Sequence, residues 1–171
     1  MKKVFFSGFI FLSLIGSGWS QKGAVVDVQY ILEKMPAYKA AQDEINQISQ
    51  KWQKELEDKY KEIERKYDEF EAELVLLPDD VKKLKQEEIY ELEREAKEYK
   101  QSKFGFDGEL YKIQDEKIRP VQDQVYAAIE NMARERKLEL ILDKGNDAVL
   151  YYEKLFDKTS EVLNKLGIQD K

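Results

Sequence analysis

In the stretch KWQKELEDKYKEIERKYDEFEAELVLLPDD, residues 51–80, apolar and aromatic side chains fall at Trp52, Leu56, Tyr60, Ile63, Tyr67, Phe70, Leu74 and Leu77. The steps are three or four throughout, and up to Glu73 nearly everything between is charged or amide-bearing. That is the stripe of a long coiled-coil helix, its supercoil locally relaxed where steps of four follow one another. Leu77-Pro78-Asp79-Asp80 then interrupts the period. A proline at the first helical position and acids in the first turn are start signals for a second helix, so these residues read as the tip of a helical hairpin.

Upstream, Tyr38, Ala41, Ile45 and Ile48 extend the stripe back to Pro36, which cannot continue a helix interior. The first helix is therefore about 40 residues long and would reach roughly 60 Å at 1.5 Å per residue. Downstream, Ile89, Leu92, Ala96, Tyr99, Phe106, Leu110 and Ile113 carry the return, with Lys103 filling the position between Tyr99 and Phe106. Val121, Val125, Ala128 and Met132 continue it, and Pro120 marks a bend because it removes one helix hydrogen bond.

Within this return sits KFGFDGE, residues 103–109. Each interior glycine costs about 1 kcal/mol relative to alanine, so Gly105 and Gly108 mark a weak or bent place in the helix. Because the heptad spacing runs on through them, a bent helix is expected here, not a loop. Residues two apart on a helix cannot face the same partner, so of Phe104 and Phe106 at least one must point away from the seam.

The ends of the chain change period. Gly23-Ala-Val-Val-Asp-Val28 reads as a strand, followed by a short helix through Ile31 and Leu32. Leu138–Asp143 reads as a second strand, Lys144–Asp147 as a turn and Ala148–Tyr152 as the hairpin partner of that strand. Thr159 is placed to cap a short final helix that ends at Gly167. The fold class is thus α+β, predominantly α: a long antiparallel helical hairpin on a small β-body. Residues 21–36 and 138–171 form the body, and 37–137 form the arm with its tip near 77–80. So few short strands bury little, and the body calls for a partner copy. Val25, Val26, Val28, Leu140, Ile141, Leu142, Val149 and Leu150 are the candidate residues for that assembly.

Residues 1–20 stand apart. Lys2 and Lys3 precede an uncharged apolar run that ends at Gly18-Trp19-Ser20, the layout of a cleaved secretory signal. The run is shorter than the ~20 residues that span a bilayer, so no stable membrane insertion is expected. Loss of the two lysines takes the formal charge from -6 to -8. An acidic chain is ill suited to nucleic acid, whose binding rests on basic contacts to phosphate. With no cysteine, an exported chain forms no disulfides. With no histidine either, most transition-metal sites and base-activated nucleophiles are excluded, and no glycine-rich phosphate loop is present. No cofactor and no enzyme activity are expected.

Together, Val26-Asp-Val-Gln-Tyr-Ile-Leu32, the charged hairpin, Pro120-Val-Gln-Asp123, the strand Leu138–Asp143 and Asp157-Lys-Thr-Ser-Glu-Val-Leu-Asn-Lys-Leu166 resemble the Skp/OmpH family of periplasmic chaperones. The resemblance implies a homotrimer whose β-body carries three helical arms around a cavity. It also implies a periplasmic holdase that keeps unfolded outer-membrane proteins from aggregating without ATP. On that reading Gly105, Gly108 and Pro120 let the arm flex, and Phe104 and Phe106 contact clients. The best-known members are strongly basic, so a lipopolysaccharide site is not carried over to this acidic chain. A structural coiled-coil scaffold of the envelope is the competing reading.

Overall fold

Asp27 closes the first strand and opens the first helix. The computed structural model describes residues 22–145 and 148–169, so the expected signal segment and part of the expected turn at 144–147 lie outside the described residues. Strand β1 is Gly23–Val26, and helix α1 is Val28–Lys34. The Asp27 side chain accepts from the Tyr30 amide at 2.9 Å, satisfying one of the unpaired donors of the first turn. Pro36 then starts α2, Pro36–Glu73, where its missing N–H is no loss. The chain turns over at 74–78 and returns as α3, Asp79–Phe104, and α4, Glu109–Arg136. Pro78 precedes the helix as its cap residue, one position before its expected place, and Asp79 and Asp80 occupy the first turn.

Strand β2, Leu140–Asp143, pairs with β1 in parallel, Gly23 opposite Leu140 and Val26 opposite Asp143. A parallel pair needs a long crossover, and here the whole arm is the crossover. The expected hairpin partner of β2 at Ala148–Tyr152 is not a strand. The reason lies in where the chain must go next. Asp157 pairs with Val25 while β2 holds the opposite edge of β1, and the Lys158 amide donates to the Val25 carbonyl at 2.9 Å. Residues 148–153 therefore cross the sheet face instead of doubling back along β2. A short 3-10 turn, Lys154–Phe156, leads into α5, Thr159–Lys165.

Thr159 is the first residue of α5 and not its cap. Its hydroxyl accepts from the Asp27 amide at 3.0 Å and donates to Asp157 at 2.6 Å, which ties α5 to the end of β1. Gly167 ends the helix with φ +73°, the left-handed conformation that glycine adopts without penalty.

The body holds a core of its own by recruiting helices as well as strands. Val26, Ile31, Leu32, Met35, Val121, Val125, Ala128, Met132, Val162 and Leu163 form one buried cluster. Each large aliphatic side chain there contributes about 1.5–3 kcal/mol by leaving water. The arm is thinner. Ile45, Ile63 and Phe70 of α2 and Ile89 and Ala96 of α3 are buried, whereas Tyr60, Tyr67 and Leu74 of the same stripe remain exposed. Ion pairs flank this shallow seam: Lys59 meets Glu95 at 3.5 Å, Lys85 meets Glu73 at 2.8 Å, and Lys66 pairs with Glu88. Nearer the body, Lys117 meets Glu44 at 2.8 Å.

The return helix does not bend through KFGFDGE; it stops. Residues 105–108 are non-helical between α3 and α4. The four-residue gap resets the phase of the stripe, so Phe106 leaves its heptad position and Leu110 and Ile113 resume the seam. Pro120 lies inside α4, whose helix passes through it.

Candidate functional site

Two surfaces remain where the chain has not satisfied its own apolar side chains. The first surrounds the break in the arm. Phe104, the last residue of α3, turns inward and meets Trp52 of α2 edge to face, ring centroids 6.3 Å apart. Phe106 points the other way. It is 92% exposed and stacks on Tyr111, itself half exposed, at 6.4 Å. The backbone that separates them is held by turns: the Gly105 amide donates to the Gln101 carbonyl at 2.9 Å, and the Gly108 amide to the Gly105 carbonyl at 2.9 Å.

Neither glycine owes its place to φ, since both sit near -65°. Space is what they need. A Cβ on Gly105 would collide with the Gln101 carbonyl, and one on Gly108 would lie 2.9 Å from the Gly105 backbone and the Lys103 carbonyl. Beside them Tyr99 donates to Glu55 across the seam, and burial, with that bond behind it, pushes its phenol up to about 12. At the far end of the arm, Val75, Leu76 and Leu84 add further exposed apolar surface.

The second surface is on the body. Gly23, Ala24, Val25, Leu140, Leu142, Tyr151, Tyr152 and Phe156 line a shallow groove of about 330 Å³. Of the residues expected to assemble the body, Val25 and Val26 are buried within this chain, and Val28 and Ile141 pack against its own core. Val149 is half-buried. Leu140, Leu142 and Leu150 are exposed, Leu150 at 94%. The outer edge of β2 carries no strand among the described residues. The groove is backed by a polar clamp in which Lys144 meets Asp157 at 2.7 Å and lies over the Tyr152 ring. Burial pushes the Asp157 carboxyl up, but bonds from Lys144 and Thr159 outweigh it and hold it below the usual carboxylate value.

Among the described residues no group of three or more His, Cys, Asp or Glu could hold a metal ion. No described helix is long and apolar enough to cross a membrane.

Residues 22–166 match the family described as outer membrane protein (OmpH-like). The chain belongs to the OmpH-like family. A crystal structure of an OmpH-like protein from Caulobacter crescentus CB15, described as an outer membrane chaperone, is similar with a TM-score of 0.68. It covers 95% of this chain and 90% of that one at 15% identity, so what the two share is the fold. No curated protein matches the chain.

Phe104, Gly105, Phe106 and Gly108 lie together at the break in the arm, and Pro120 sits about three turns further along α4. Sequence reasoning missed Tyr111, Lys103 and the exposed tip residues. Tyr111 carries a signal in hindsight, being an aromatic off the heptad stripe.

Proposed function

We propose that this OmpH-like protein is an ATP-independent holdase of the periplasm that binds unfolded outer-membrane proteins and keeps them from aggregating. The observation that carries this is the arm: a long hairpin with exposed Phe106, Tyr111, Val75 and Leu76, far more apolar reach than its small body requires. Holding an unfolded chain needs many weak apolar contacts and no catalytic group. Phe106 with Tyr111 forms the client-contacting step, while Phe104 serves it by fixing the end of α3 on Trp52. Gly105, Gly108 and, further along, Pro120 allow the arm to vary its width. The body associates as a homotrimer through the open edge of β2 and the groove with Leu140, Leu142 and Leu150, which hides apolar surface a lone chain leaves wet.

The test is aggregation of a urea-diluted outer-membrane barrel protein. Stoichiometric chaperone should suppress light scattering, and F106S with Y111S should weaken suppression several-fold while leaving the oligomer intact. A protein that leaves scattering unchanged would favour a structural scaffold instead. The ion-paired seam of the arm is the feature that supports that second reading, since it suits a strut.

A further inference from the structure

We propose that Lys103 is a latch that holds the break in the arm closed, and that its charge sets how freely the arm flexes. Three helices meet at this one ammonium group. Lys103 lies in the last turn of α3, and its Nζ is 2.5 Å from Glu109, the first residue of α4, so the ion pair spans the break. The same Nζ lies 4.6 Å from the ring centroid of Trp52 on α2 and 5.8 Å from that of Tyr99. Its side chain is 19% exposed, against 25% or more for the cations of the other arm ion pairs. Shelter of the ammonium group strengthens its cation–π contact relative to open surface, while Glu109, half exposed, leaves the ion pair open to screening by salt.

The backbone gives little help at this point. No side chain caps α4, and the turn at 105–108 replaces the regular helix ladder. Each partner suits its place, because a cation is favoured at a helix C-terminus and an anion at an N-terminus. At the break itself, Lys103, with Phe104 on Trp52, ties the end of α3 and the first residue of α4 to α2, while the Lys117–Glu44 pair holds α4 to α2 further along.

This deepens the holdase reading, in which the arm must change width, but the test uses the free protein, so its failure would leave client binding standing. Amide exchange measured residue by residue at Gly105, Gly108 and Lys112 reports opening of the break. In K103M, which keeps the aliphatic stem, exchange at these three should rise about tenfold while Ala96 and Val125 keep their wild-type rates. Raising salt to ~1 M should speed the same amides in wild type, by screening the ion pair, and should do little in K103M. E109Q removes the ion pair and keeps the aromatic contacts, so it should give a smaller rise even if K103M folds poorly. Wild-type exchange rates at the break in both variants, or a rise spread evenly along the arm, would overturn the latch.

Discussion

Gly105 and Gly108 cannot become alanine without the backbone moving, because the added methyl group meets peptide atoms and not a yielding side chain. The double variant is therefore expected to rebuild 105–108 as helix, raising far-UV helicity by about one turn and rotating α4 out of phase with α2. Unchanged circular dichroism would contradict the steric account. Lys137, which ends α4, is the only non-glycine residue with positive φ among those described, at 53°. Lys137→Gly should raise stability in urea unfolding by roughly 0.5–1 kcal/mol, the left-handed cost less the extra freedom glycine has in the unfolded chain. A loss of stability would contradict it. Sequence reading located the two glycines and held that at least one of Phe104 and Phe106 must leave the seam, but it argued from a continuous helix, and the two rings diverge across a break in it. It placed Phe106 on the heptad stripe and so in the seam, whereas Phe104 is the one that turns inward, because the choice depends on the break at 105–108 and on Trp52, fifty-two residues away in chain but adjacent in space. Lys103 was legible only as a charged residue in a heptad position, where its aromatic surroundings leave no local trace.

At the level of elements, the arm was the most legible part, because a period of three and four over some 40 residues admits few alternatives. The C-terminal strands were the least legible. Ala148–Tyr152 has the β-branched and aromatic content of a strand, but Asp157 must reach the far edge of β1, and that demand comes from the assembled body. The clamp that secures this crossing should respond to acid. Asp157 titrates below its unfolded value, so its contribution is complete above about pH 4 and is lost as pH falls through the folded value. Lys144 is raised, chiefly by its bond to Asp157, so its share is lost only as pH rises through a folded value above 10.5. D157N should lower stability by roughly 1–2 kcal/mol at pH 7 and flatten the decline on the acid side. An unaltered acid limb in the variant would contradict the clamp. The arm should answer to salt instead, since its cross-seam ion pairs lie at the surface and are screened.

For the whole molecule, the central claim is that the body assembles and the arms hold. A single chain buries a sound core in its body yet leaves Leu140, Leu142, Leu150 and Tyr151 exposed beside an open strand edge, and its arm ends in bare Val75 and Leu76. Such surfaces in one chain are expected to be covered by copies of itself at the body and by clients along the arm. The fold class and the family were legible in the sequence because both rest on pattern over the full chain. The division of labour between the two surfaces was not, since it depends on which apolar residues the fold has already used. The most direct test is the solution mass of the protein by light scattering, alone and with an unfolded outer-membrane barrel protein. The account expects a trimer that takes the client into a discrete soluble complex; an assembly that ignores the client while it precipitates would contradict it.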